Sequence, residues 1–267
     1  MKNLLFNILN KKQFHVVFKK VIKRFEKDTS FESLRWAKLN TKFTTEELCK
    51  LIDPQLFDEA LKDIKIIEAE AKSNISKLDI FMGGASNYVL LYFLVRKINP
   101  SIIVETGVAG GWSSLFILRA LRKNGEGKLF SSDFPYLRLK NPNKYIGYLA
   151  KNEINKNDWY LDIRGDELAL AEIVNKIREK NIDLFHYDSD KSYSGRNKAL
   201  NIINSNVNEE TIIIFDDIQN NLHFRNLIEK TKNDYFILEF QGKYLGIIGA
   251  NYLLGNNMNK VKITNKL

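Results

Sequence analysis

The 267 residues are 44% hydrophobic, 12% aromatic and 27% charged, enough for one large α/β domain with an appendage or for two small domains. Four prolines and fourteen glycines exclude a collagenous or Pro/Gly-rich disordered chain, and a single cysteine, Cys49, excludes an internal disulfide and any multi-cysteine metal centre. A net charge of +9 is uneven: residues 1–28 hold +6, residues 256–267 hold +3 and the body between them is neutral, which argues against a nucleic-acid binder. One cysteine fits a reducing, cytoplasmic setting. With only three histidines, His15, His186 and His223, metal binding is expected through carboxylates.

The chain opens on a basic amphipathic segment. Phe14, Val17, Phe18, Val21, Ile22 and Phe25 fall at helical spacing, and Lys19, Lys20, Lys23, Arg24 and Lys27 take the other face. Its apolar runs are two or three residues long, against the roughly twenty that span a bilayer, and it lacks the apolar core of a signal peptide. A helix packing on the body or on a second subunit is expected, so the protein is read as a homo-oligomer. The second reading is peripheral membrane contact through residues 1–28, by an interfacial helix on anionic lipid. Thr44-Thr45-Glu46-Glu47 resembles a capping box, and Pro54 opens a further helix running to about Ala71. Residues 1–80 are therefore read as a helical N-terminal cap. A Gly-rich connector, Phe81 to Asn87, leads to a helix over Tyr88 to Ile98, stopped by Asn99-Pro100.

From Ser101 short β-branched runs alternate with amphipathic segments. Strands are expected at Ile102–Val104, Lys128–Ser131, Trp159–Ile163, Ile182–Tyr187 and Thr211–Phe215, with helices between them. Tyr235–Phe240 and Tyr244–Ala250 form a closing hairpin around Gln241-Gly242-Lys243. The fold class is α/β: a Rossmann-like, mostly parallel seven-stranded sheet with an antiparallel C-terminal hairpin and a helical N-terminal cap. This body spans residues 81–255, and residues 256–267 form a basic, frayed tail.

Open parallel sheets bind ligands at the carboxyl ends of their strands. Strand one runs into Glu105-Thr106-Gly107-Val108-Ala109-Gly110-Gly111-Trp112-Ser113, glycines that allow a tight turn and close backbone approach at a helix N-terminus. The spacing is not that of dinucleotide enzymes. Strand two ends at Asp133, twenty-six residues beyond Gly107, where an acid can hold two ribose hydroxyls. Strand three is followed by Asp166, which either caps the next helix or contacts an adenine amine. Asp188-Ser189-Asp190-Lys191 follows strand four and Asp216-Asp217 follows strand five. Four carboxylates at adjacent strand ends repel unless a cation compensates, and hard oxygen ligands suit Mg²⁺ or Mn²⁺. His186 is read as a hydrogen-bonded core histidine rather than a ligand. His223 could face an acceptor. Tyr136, Arg138, Lys140, Lys144 and Tyr145 form a basic-aromatic stretch, either a solvated loop or an acceptor lid.

This order of motifs resembles the class I S-adenosylmethionine-dependent methyltransferases. More narrowly it resembles the metal-dependent sugar O-methyltransferases of the macrocin and aminocoumarin type, with catechol O-methyltransferases more distant. The resemblance covers residues 80–250. It implies S-adenosyl-L-methionine as cofactor, with Gly107, Gly110 and Ser113 around its methionine part, Glu105 beside it, Asp133 on the ribose and Asp166 near the adenine. It implies Asp188, Asp216 and Asp217 as ligands of Mg²⁺ (or Mn²⁺). The catalytic base falls on Asp190, as in the sugar enzymes, or on Lys191, as in the catechol type. The acceptor implied is a hydroxyl of a sugar or nucleotide-linked sugar, in surface glycan or natural-product biosynthesis. An NAD-dependent oxidoreductase and a non-catalytic, membrane-associated cofactor-fold protein are the alternatives; the glycine spacing and the acid cluster speak against them.

Overall fold

The computed structural model describes residues 28–153 and 158–257. The expectations for the amphipathic segment through Lys27 and for the tail beyond Asn257 lie outside the described residues, and so does His15.

Among the described residues, four helices precede the first strand: α1 (Ser30–Asn40), α2 (Thr45–Ile52), α3 (Pro54–Ile75) and α4 (Tyr88–Ile98). The capping box forms as expected. Thr44 Oγ1 accepts from the Glu47 amide at 3.2 Å, and the Glu47 carboxylate accepts from the Thr44 amide at 2.8 Å. Asp53 caps α3, with Pro54 at the first position, where its missing N–H costs nothing. Helix α4 stops at Asn99, which takes the left-handed conformation ahead of Pro100.

Strands β1 (Ile102–Thr106), β2 (Lys128–Ser132), β3 (Trp159–Asp162), β4 (Leu184–Tyr187), β5 (Ile212–Phe215), β6 (Tyr235–Phe240) and β7 (Lys243–Ile248) form one sheet in the order β3-β2-β1-β4-β5-β7-β6. The first five are parallel and β7 enters antiparallel between β5 and β6. Helices α5 (Trp112–Asn124), α6 (Asp166–Ile177), α7 (Tyr193–Ile203) and α8 (His223–Thr231) make the crossovers. The expected topology is therefore present. Strands β3 and β4 are shorter than their apolar runs, because Ile163 and Ile182 lie beyond the paired ladder.

Two cores cover the two faces. On one, Ile103, Leu129, Leu184, Ile212 and Ile247 pack against α2–α5; on the other, Val104, Phe185, Tyr187 and Phe215 pack against α1 and α6–α8. The alternation is that of successive side chains along a strand. The N-terminal helices thus share the cores of the βα body.

The β1–β4–β5 crevice is where the strand order reverses. β1 neighbours both β2 and β4, so their following loops diverge to opposite sides. All of the acidic motifs emerge at this edge.

Candidate active site

The turn after β1 needs glycine at two points. Gly107 has φ +83°, and a Cβ there would lie 2.4 Å from the Asp188 carbonyl oxygen. Gly111 has φ +91°, and its Cβ would lie 2.9 Å from Gly147 Cα. Neither site has room for a side chain, and both use backbone that L residues avoid. Gly110 has ordinary φ; its neighbour is Met82 of the connector, 3.2 Å from where a Cβ would stand. Gly107→Ala is expected to push the β1 turn off the β4 loop and lower the melting temperature by several degrees, as a scanning melt would record.

Below this turn lies a polar layer dictated by register. Glu105 pairs across to Ser131 on β2 and to His186 on β4. Its carboxylate is fully buried and accepts from Ser114 Oγ at 2.6 Å and Ser131 Oγ at 2.8 Å, with His186 Nδ1 at 3.8 Å from the other oxygen. Burial alone would push the carboxyl up; the His186 imidazole and the Ser113 and Ser114 hydroxyls outweigh it and hold it below the ordinary range. Glu105 and Ser113 therefore face each other beneath the glycine turn.

Asp133 stands at the end of β2. Its carboxylate accepts from the amides of Ala109, at 2.6 Å, and Phe134. Burial is the largest influence on it and raises its pKa to about 7, with Asp166 and Glu105 adding like charge. Asp166 is the first residue of α6, whose N-cap is Gly165, so the capping role considered for Asp166 is not the one observed. It instead accepts from Ser132 Oγ at 2.8 Å and from Ser189 Oγ, tying the end of β2 to the loop after β4. Tyr136, 39% exposed, lies in the field of Asp133 and Asp188; burial first, then these two carboxylates, raise its phenol.

The β4 and β5 loops bring the remaining groups together. The Lys191 ammonium is paired with Asp188 and lies 3.1 Å from Asp217 Oδ2. Lys243, at the start of β7, reaches within 3.8 Å of Asp217 Oδ1. Burial would lower the Lys191 amine, but the Asp188, Asp217 and Asp216 carboxylates outweigh it and hold the ammonium above its ordinary range. Burial pushes Asp188 the other way, upward, against the pull of Lys191. Asp216 is 2% exposed; one oxygen accepts from the Asp217 amide at 3.0 Å and Oδ2 has no hydrogen-bond partner.

Ligand atoms of His186, Asp188 and Asp216 converge to within 4.8 Å of one another. His186 is wholly buried, with Nε2 3.1 Å from Ser86 Oγ, so it is hydrogen-bonded as expected and also borders the acids. Two carboxylates, an imidazole and an orphaned carboxylate oxygen suit a divalent cation. Asp217 stands apart from that set, committed to the two lysines. Asp190 also stands apart. Its carboxylate accepts from the Ser192 amide at 3.1 Å and lies against Gly195, where a Cβ would come within 2.5 Å of it. It turns toward α7, while Lys191 turns into the acidic cluster. His223 lies in the core, its Nε2 3.2 Å from Asn197 Oδ1. It is buried against Tyr193 and Phe215, at ring distances of 5.1 and 5.5 Å, and burial, then Arg196, lowers its pKa to about 3.

One residue escaped the sequence reading. Arg196 is fully buried in α7, and its Nη2 donates to the carbonyls of Asp216, at 2.9 Å, and Asp217, at 2.8 Å. Asp217 has φ +52°, a conformation costing of the order of 1 kcal/mol or more for a non-glycine. That single guanidinium nitrogen holds the turn through both carbonyls.

A family model described as a methyltransferase domain matches residues 104–218, the stretch that carries the glycine turn and every carboxylate above. The body of the chain is thus similar to a methyltransferase domain. Solved structures share the fold. An S-adenosylhomocysteine-bound methyltransferase of Podospora anserina is 14% identical, over 68% of this chain and 86% of that one, with a TM-score of 0.54. An O-methyltransferase of Bacillus cereus in complex with S-adenosylhomocysteine is 15% identical, over 68% and 89%, with a TM-score of 0.52. A methyltransferase of Geobacter sulfurreducens is 15% identical, over 68% and 87%, with a TM-score of 0.50. No curated protein matches the sequence.

Proposed function

We propose that this protein is a class I S-adenosylmethionine-dependent methyltransferase that is divalent-metal-dependent and methylates a hydroxyl of a sugar, free, glycosidic or nucleotide-linked. The observation that carries the metal-assisted O-methyl reading is the convergence of His186, Asp188 and Asp216, with an unpartnered oxygen on buried Asp216 and the Lys191 ammonium beside them. The sugar is supported by the resemblance of the ordered motifs to sugar O-methyltransferases.

In this reading Gly107, Gly110 and Ser113 line the methionine end of the cofactor. Asp133 takes the ribose hydroxyls and Asp166 lies toward the adenine. Asp188 and Asp216, with His186 or Asp217 as a third ligand, would hold Mg²⁺ or Mn²⁺. Such an ion supplies Lewis acidity, lowering the pKa of an acceptor hydroxyl and taking up carboxylate charge. Methyl transfer forms an O–C bond as the S–C bond of the sulfonium breaks, and the hydroxyl proton leaves to a base. Lys191 is that base. With a cation held by Asp188 and Asp216, the charge that keeps Lys191 protonated would be reduced and its amine would be able to accept the proton. Asp190, turned to α7, keeps its loop in place. The remaining contribution is alignment of the hydroxyl with the methyl carbon.

Incubation with S-adenosylmethionine, Mg²⁺ and a panel of nucleotide sugars, read by mass for a gain of about 14 Da, tests the acceptor. A gain on none of the sugars, with a gain on a catechol, would move the acceptor to the aromatic class.

Asp133 also gives a pH dependence. Its folded pKa of about 7 lies above the ordinary carboxylate value, so the unliganded protein loses stability as pH rises from about 4 to 7, and the residue is half ionised near neutrality. Ribose hydroxyls donate best to the ionised form. Affinity for S-adenosylhomocysteine is therefore expected to rise about tenfold from pH 6 to pH 8, and Asp133→Asn to bind weakly with a flat profile. Calorimetry at both pH values measures this.

A further inference from the structure

Lys243 takes no part in the proton chemistry of Lys191, yet it stands at the rim of the same cluster. It is the first residue of β7, and its ammonium comes no closer than 3.8 Å to Asp217 Oδ1. That oxygen already accepts from Gln219 Nε2 at 3.1 Å. Among the described residues the Lys243 ammonium makes no hydrogen bond. Its side chain is 37% exposed. Its place is fixed all the same, because the Tyr244 amide donates to Gln219 Oε1 at 3.0 Å and ties the start of β7 to the Asp217 turn.

The connector ahead of α4 passes beside this ammonium. Met82 packs at Gly110 of the glycine turn, and Ser86 Oγ lies 3.1 Å from His186 Nε2. Between those two anchored points are Gly83 and Gly84, both exposed. A Cβ on Gly84 would stand 3.7 Å from Lys243 Nζ, and one on Gly83 would meet nothing within 4 Å. Among the described residues the amides of Gly83 and Gly84 donate to no protein group. An unbonded ammonium thus adjoins free backbone donors, on a strap that runs from the glycine turn to the His186 end of the acidic cluster.

We propose that Lys243, with the Gly83 and Gly84 amides, binds a phosphate group of the acceptor. Resting on the sugar O-methyltransferase reading, this narrows the acceptor to a sugar carrying a phosphate ester, nucleotide-linked sugars included, and sets neutral sugars aside. An ammonium pairs with phosphate as a point charge, and successive backbone N–H groups make an anion-binding concavity. The charges of the cluster point the same way. Asp188, Asp216 and Asp217 are matched by Lys191, Lys243 and buried Arg196, three of each sign. A divalent ion on the first two acids would leave two positive charges in excess, which a phosphate offsets and a neutral sugar does not.

The test is calorimetric titration of the full chain, holding S-adenosylhomocysteine and Mg²⁺, with glucose 1-phosphate, UDP-glucose, methyl glucoside and glucuronate. The two phosphorylated sugars are expected to bind, and methyl glucoside to bind at least about tenfold more weakly. Lys243→Gln should weaken the phosphorylated sugars about tenfold, and Lys243→Arg should keep them within about threefold of wild type. Gly84→Val, which fills the space beside the ammonium and leaves its charge, should weaken them as Lys243→Gln does. S-adenosylhomocysteine, titrated first on the same preparations, should bind all of these proteins alike. That first titration reads the cofactor site separately from the phosphate site. Wild-type affinity for the phosphorylated sugars in Lys243→Gln or Gly84→Val would overturn the proposal. So would equal binding of methyl glucoside, or no binding of either phosphorylated sugar by protein that holds S-adenosylhomocysteine. Tighter binding of glucuronate than of glucose 1-phosphate would also overturn it, since the anion recognised would then be a carboxylate.

Discussion

Asp188→Ala is expected to remove divalent-cation binding and methyl transfer together and to leave the affinity for S-adenosylhomocysteine within about threefold of wild type. Asp188 belongs both to the cation-competent set with His186 and Asp216 and to the pair with Lys191. Its loss takes away a ligand and frees the ammonium at once. The backbone that Gly107 approaches remains, because that contact is to the Asp188 carbonyl and not to its side chain. Transfer should fall by about three orders of magnitude or more, the scale on which electrostatic stabilisation and acid–base catalysis combine. Mn²⁺ titration by electron paramagnetic resonance gives the metal arm, and a radiolabelled methyl assay gives the other. Full activity of Asp188→Ala in chelator would contradict the metal assignment.

Lys191→Met has a different signature. Methionine keeps much of the length of the side chain and none of its charge, so Asp188 and Asp217 lose their shared counter-ion. Removing a general base costs about 10²–10⁴ in turnover. Because two carboxylates are released from an ammonium, Mn²⁺ affinity should rise or hold while turnover collapses, the reverse of the coupling expected on losing Asp188. Asp190→Asn should cost far less, since its carboxylate faces the Ser192 amide and Gly195. If Asp190→Asn were the severe lesion and Lys191→Met the mild one, the roles of the two residues would be exchanged.

Much of this is legible in the chain itself. Strand positions, crossovers and the closing hairpin follow from β-branched runs and turn residues, which are local signals. The glycine turn and the acids at strand ends are legible because topology forces each strand end to the same edge. What is not legible depends on contacts distant in sequence. Ser33 finds its partners 185 and 188 residues away, so α1 reads as part of an inert cap when it in fact braces the Asp217 loop. Arg196 resembles any solvated arginine in an amphipathic helix until the turn above it is folded. The heading of Asp190 is settled by a bond to an amide two residues on and by the missing side chain of Gly195. The convergence of His186 with two acids needs β4 and β5 in register, with His186 opposite Ile214.

The most direct measurement is calorimetric titration of chelator-stripped protein, first with S-adenosylhomocysteine and then with Mg²⁺, beside Asp188→Ala. Binding of both by the wild type, and of the homocysteine product alone by Asp188→Ala, is the predicted result. Folded wild-type protein that binds no S-adenosylhomocysteine would contradict the account at its centre, the cofactor site built around Gly107 and Asp133.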